Sequence, residues 1–335
     1  MQAEKSLFQR PVWVAIFALT AATVWGWAYP LIKLGFAEFS ITPEALPTPD
    51  GATFGAQLTG SKMLFAGVRF LISGLIILAI IALQSRRDKA AGRSAVSFAL
   101  RSKSAWWFII AYALINTTLH YACFYFGLSH SAGSRAAILN SLSVFSVVIL
   151  ACIFFKSDKM TVRKVIGCVV GFAGILALNL GGDEGTPSLM GIAGGEALLG
   201  DAMIIANALC SAFASLMTRG LGQRVNVVVG TGYSLAIGGA LLILPGALLG
   251  GYFPQVTLMG CVILVLLIGI STIGFTLYNK LLTCNPVGKV AIYNSLIPVI
   301  GAVTSCLCLH EPFYWKYVIA GALAAGGIYI INRGK

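Results

Sequence analysis

A nine-residue stretch occurs twice in this chain. Ser134–Leu142 reads SRAAILNSL, and Gly288–Leu296 reads GKVAIYNSL, 154 positions later. At the same offset Cys152 falls on Cys306, Gly167 on Gly321 and Arg135 on Lys289. Each copy lies inside a long apolar run and is followed by a second one. Similarity at a fixed offset constrains architecture more than any single residue can. It predicts a duplicated unit, and in a bilayer it places the site where the two copies face each other.

The bilayer follows from composition. The 335 residues are 58% hydrophobic and only 10% charged, with a mean hydropathy of +0.88. A soluble domain carries about a quarter charged residues. Apolar runs of roughly 20 residues, the length that crosses hydrocarbon, recur along the chain. The fold class predicted is an all-α membrane protein with ten spans, near 12–36, 62–83, 105–128, 132–155, 163–180, 197–218, 226–250, 257–279, 287–309 and 314–332. The first run is too long for a signal peptide and lacks a small-x-small exit. Eight cysteines without a CxxC read as small packers, neither a disulfide framework nor a metal site. No cofactor is expected.

The net charge of +12 would suggest nucleic acid in a soluble chain. Here the basic residues gather in the connections, so the partner is the lipid bilayer and not nucleic acid. Eighteen of the 23 Lys and Arg lie at the two termini or after even-numbered spans. Arg86, Arg87, Lys89, Arg93, Arg101 and Lys103 crowd one connection, and Lys156, Lys159, Arg163 and Lys164 another. Connections after odd-numbered spans hold Glu38, Glu44, Asp50, Asp183, Glu184, Glu196 and Glu311. The positive-inside rule then makes both termini cytoplasmic, with the cell (inner) membrane as location. Five spans per copy is an odd number, so the second copy inserts upside down. The predicted organisation is a first repeat over 1–180, a glycine-rich linker over 181–195 and a second repeat over 196–335. An external loop over 37–61 and a basic cytoplasmic loop over 84–104 interrupt the first.

Ionisable groups within spans cost several kcal/mol and need a reason. Arg69 either binds substrate or gates, or pairs with a carbonyl or acid for stability. Lys33 can snorkel, and Arg135 and Lys289 read as snorkelling or loop-capping groups. Asp201 offers itself as partner to a nearby base. Asn116, His120 and Phe124 share one face of span 3, with Tyr121 beside them. His120 is either a proton acceptor or an ordinary interhelical histidine. Phe275 and Asn279, with Tyr278 adjacent, form a similar face on span 8. Asn140 and Asn294, equivalent positions of the two copies, either glue helices or read a polar ligand. Trp25 and Tyr29, four apart, and Tyr293 complete the candidate substrate-binding wall. Glycines in spans 5 and 10 mark packing or homodimer surfaces.

Several of these residues also carry a resemblance. Trp25-Gly26 with Lys33 eight residues after Trp25, Arg69-Phe70-Leu71, Pro298 within NSLIPV, Glu311 and Gly321 resemble, in that order, the drug/metabolite transporter superfamily in its EamA-type branch. The first copy departs from the pattern with Val144 in place of a proline and Ser157-Asp158 in place of a glutamate. The resemblance implies ten helices around a central cavity and transport of small metabolites. Span 1 lacks the membrane glutamate of the small multidrug-resistance exporters, which argues against cation–proton antiport. The function expected is secondary transport of a small-molecule substrate by alternating access, in the export direction. An amino acid or related amphipathic compound is favoured, and intramembrane cations outnumbering acids favour a carboxylate or other anion. No GxxxxGK[ST] loop is present for ATP. The alternative, an intramembrane enzyme acting on a lipid-linked substrate, would need a convergent catalytic set. The chain offers neither HExxH nor GxSxG.

Overall fold

The structure is a computed structural model, and it describes residues 6–43, 51–98, 100, 102–131, 133–154, 160–179, 195–285, 290, 293–294 and 296–332. Among these, long helices dominate: α1 (Pro11–Glu38), α2 (Gly51–Ala90), α3 (Lys103–Ala113), a π-helical turn (Leu114–Leu119), α4 (His120–Ser129), α5 (Gly133–Asn140), α6 (Leu142–Phe154), α7 (Val162–Asn179), α8 (Gly195–Arg224), α9 (Val227–Leu248), α10 (Leu258–Cys284), α11 (Leu296–Leu309) and α12 (Trp315–Asn332). Among the described residues seven helical stretches are long and apolar enough to cross a membrane, with α3, the π-turn and α4 forming one and α5 with α6 another, and α11 is a shorter apolar helix. Many helix starts are legible. Pro11 opens α1 at a position where its missing N–H costs nothing. The Ser102, Asn226 and Thr257 side chains accept from the first-turn amides of α3, α9 and α10.

Helix α2 packs most extensively on α9, α7 on α12, and α1 on both α10 and α11; α8 packs on α4 and on α6. The α2–α9 contact is antiparallel and unusually close. Gly60, Gly67 and Gly74 recur every seven residues on α2, as do Gly232, Gly239 and Gly246 on α9. A Cβ on Gly67 would lie 2.8 Å from the Gly239 carbonyl, one on Gly74 2.6 Å from that of Gly232, and one on Gly60 2.7 Å from that of Gly246. The backbones touch because no side chain separates them. On the other flank, Gly327 of α12 rests on the backbone of Gly167 and Gly171 in α7. The glycines of the fifth and tenth expected spans therefore serve each other.

Two expectations are corrected. Residues 51–61 are not loop: α2 already runs from Gly51, and Gly60 and Ser61 hold it against the end of α9, where Ser61 Oγ accepts from the Tyr252 amide at 3.0 Å. The basic connection is likewise shorter, because α2 continues to Ala90. Residues 181–194 of the expected linker, Glu44, Asp50, Ser157-Asp158, Lys289 and the terminal Lys5, Arg333 and Lys335 lie outside the described residues. The buried core is aromatic and aliphatic, with Phe65, Phe70, Tyr125 and Ile32 among its fully buried side chains.

Candidate functional site

A cavity of about 110 Å³ opens between helices of both halves of the chain. A single water needs only about 10–15 Å³ by the same measure. Helix α1 supplies Trp25, Ala28 and Tyr29, and α2 supplies Arg69. The π-turn and α4 bring Asn116, His120, Tyr121 and Phe124. Asn140 ends α5, and Ser141 forms the break before α6, which contributes Ser143 and Val144. From the second half come Phe275, Tyr278 and Asn279 on α10, Asn294 ahead of α11, and Pro298 in the first turn of α11. Every residue expected from sequence is thus gathered here except Tyr293. Tyr293 packs instead with Val14, Ala18 and Leu281, where α1 begins and α10 ends.

The polar groups are tied in pairs. Asn140 Nδ2 donates to the Tyr29 hydroxyl at 3.0 Å, and its equivalent Asn294 donates to the Tyr278 hydroxyl at 2.9 Å. Asn207 Nδ2 donates to Asn140 Oδ1 at 2.7 Å, so α8, α5 and α1 are linked in one chain of hydrogen bonds. Asn279 donates to Thr231 Oγ1 at 2.9 Å. The π-turn decides the state of His120. Its amide reaches back to Ile115, and its ring Nδ1 lies 3.0 Å from the Asn116 carbonyl. A carbonyl only accepts, so Nδ1 carries the hydrogen, and in the neutral form of the ring Nε2 is the acceptor. Such turns recur at functional sites because they re-aim side chains within a helix.

Arg69 is 1% exposed. Its Nε donates to the Leu267 carbonyl at 3.1 Å and Ser271 Oγ at 2.8 Å, and Nη1 to the Tyr125 hydroxyl at 2.9 Å. Of the readings left open, pairing with a carbonyl holds, and among the described residues no acid pairs with it. Arg135 departs from its snorkelling role. It is buried and forms a forked ion pair with Asp201, with Nη2–Oδ2 at 2.6 Å and Nε–Oδ1 at 3.2 Å. Lys33 is also paired rather than merely snorkelling, to Glu311 at 3.2 Å.

Sequence reasoning missed the α8 wall, Ser211, Ser215 and Thr218. Their spacing of four and three, inside an apolar run, is the signal that marks them as one polar stripe. It also missed Ser141, whose buried Oγ has no hydrogen-bond partner among the described residues, as is true of Trp25 Nε1. The Trp25 ring stands edge-on to Phe275 and Tyr278, at 5.4 and 5.1 Å between centroids.

Comparison with known proteins gives a consistent result. The EamA-like transporter family matches the chain twice, over residues 53–180 and 198–333. The uncharacterized transporter YvbV of Bacillus subtilis is 28% identical over 278 residues, covering 81% of this chain and 82% of its own. The uncharacterized transporter YetK of the same organism is 25% identical, covering 80% and 77%. A WAT1-related chloroplastic protein of Arabidopsis thaliana is 22% identical, over 68% of this chain and 55% of its own. A solved crystal structure, 18% identical, covers 98% of both chains with a TM-score of 0.65, which speaks to fold.

Proposed function

The chain belongs to the EamA-like transporter family, and from that premise we propose that it is a secondary transporter exporting a small amphipathic metabolite by alternating access, with amino acids and related compounds first among candidates. The observation that carries this reading is the cavity, which draws its walls from α1, α2, the π-turn and α4–α6 of one half and from α8, α10 and α11 of the other. A site between two units is the place that rocking would expose to each side in turn.

The ten-span inverted pair, over 1–180 and 196–335 with the linker between, belongs to the same proposal. The twofold family match supports it. So does the pattern of packing. Exchanging the copies turns the α1–α10 contact into that of α8 with α4, and the α1–α11 contact into that of α8 with α6; α2–α9 and α7–α12 map onto themselves. An odd number of spans per copy, with basic residues on alternate connections, supports cytoplasmic termini in the cell membrane. The energy would come from a gradient of ions or of the substrate itself. Relatives are named as transporters, and no observation favours the intramembrane enzyme.

Flux in proteoliposomes tests the proposal. Saturable, competable movement of a metabolite is expected. Asn294→Ala, which removes the donor to Tyr278, should cut it at least about tenfold, the equivalent of one strong ligand contact, while insertion is retained. Turnover of a lipid-linked substrate without flux contradicts the reading.

A further inference from the structure

The charge balance of the cavity identifies what kind of solute fits it. This inference takes its purpose from the transporter reading but its content from geometry. Arg69 is buried, and its Nε and Nη1 donors go to neutral oxygens on α10 and α4. Among the described residues no carboxylate pairs with it, and Nη2 has no partner. Asp201 and Glu311 are paired with Arg135 and Lys33. No Asp or Glu occurs among the described residues lining the cavity. A second observation also points to a ligand that accepts hydrogen bonds. Ser141 is 4% exposed, lines the cavity, and has an Oγ without a partner among the described residues.

Besides these hydrogen bonds the guanidinium has the Phe70 ring, 4.9 Å from Cζ to the ring centroid; a buried cation with only neutral partners is still costly, and the cost falls when an anion arrives beside it. A planar guanidinium with free donors matches a carboxylate in geometry as well as charge. Among the described lining residues, an ammonium group would find neutral acceptors, such as His120 Nε2 and the hydroxyls of α8. The rings of Trp25, Tyr29, Tyr121, Phe124 and Phe275 suit an apolar body. We propose that the cavity selects solutes by a carboxylate held at Arg69, with an aromatic or aliphatic body against the ring-lined wall, and that an ammonium group is dispensable.

Four congeners separate the charges: N-acetylphenylalanine (anion), phenylalanine (zwitterion), phenylalaninamide (cation) and N-acetylphenylalanine methyl ester (neutral). Their affinities are measured by calorimetry on the purified full chain in phosphatidylcholine nanodiscs. The two carboxylates should bind, the acetylated one at least as tightly as the zwitterion. The amide and the ester should bind at least tenfold more weakly, and Arg69→Gln should erase the difference. Equal or tighter binding of the amide or ester overturns the proposal. So does no binding by either carboxylate, a preference unchanged in Arg69→Gln, or a tenfold advantage of the zwitterion over the anion. Should Arg69→Gln fail to fold, Arg69→Lys keeps the charge and loses the fork. It should weaken both carboxylates at least threefold, and unchanged affinities overturn the assignment to Arg69. Carboxylate binding without flux would sink the transporter reading and leave this one standing. Saturable flux of the amide without preference would do the reverse.

Discussion

Asp201 and Arg135 show how a charge is accommodated inside a bundle of this kind. Their side chains are 7% and 9% exposed, and two Arg nitrogens reach the carboxylate. Removing one partner strands the other in a dry site, which costs about 3–5 kcal/mol, whereas the intact pair adds little net stability. Arg135→Ala and Asp201→Ala should each lower the denaturation midpoint in detergent markedly. The double variant should lose less than the two singles combined, and strictly additive losses would show that the pair is not coupled. Residue-scale legibility was uneven. Arg69 announced itself as a base among apolar residues, and Asn140 and Asn294 as equivalent positions of a repeat. The Arg135–Asp201 pairing could not be read, because its members are 66 residues apart and meet only when α5 lies beside α8. Tyr293 follows the same repeat as Asn294 but packs into an apolar cluster, because the next residue of a helix faces elsewhere.

Helices in a membrane associate without hydrophobic drive from water, so close backbone approach carries much of the packing. The seven-residue glycine ladders of α2 and α9 are the main instance here. Gly67→Leu should cost more than the roughly 1–3 kcal/mol of ordinary overpacking, because the new side chain meets the Gly239 carbonyl and the Ile243 amide, backbone atoms that cannot turn, as well as the Ile243 side chain. Gly269→Ala, with nothing within 4 Å of the new methyl, is the control and should be neutral. Gel filtration and thermal denaturation in detergent read both, and a neutral Gly67→Leu would refute the contact. The ladders stood in the sequence as two period-seven runs. Their pairing was hidden because equal periods in distant helices do not say which helix meets which. The start of α2 was misread for a related reason. Proline and glycine between residues 43 and 60 look like loop, yet Gly60 is small in order to meet α9, not to end a helix.

At the scale of the molecule, the two halves share one cavity. They are bound along α2–α9 and α7–α12, with α1 and α8 each inserted against helices of the other kind. Asn140, five residues beyond Arg135, and Asn207, six beyond Asp201, continue the contact between α5 and α8 by about 8–9 Å at 1.5 Å per residue. This seam reaches α1 through Tyr29, so movement of α8 against α5 and α1 would change access to the cavity. One nine-residue motif pointed to the two segments that the family matches separately. The cavity shape was not, since it depends on where α5 breaks at Ser141 without a proline to announce it. The claim on which the account turns is the inversion of one half against the other. Reporter fusions measure it directly, with green fluorescent protein at either terminus and alkaline phosphatase within 181–195. Fluorescence from both termini and phosphatase activity from the linker are expected. A terminus and its opposite end reporting from different sides of the bilayer would contradict it.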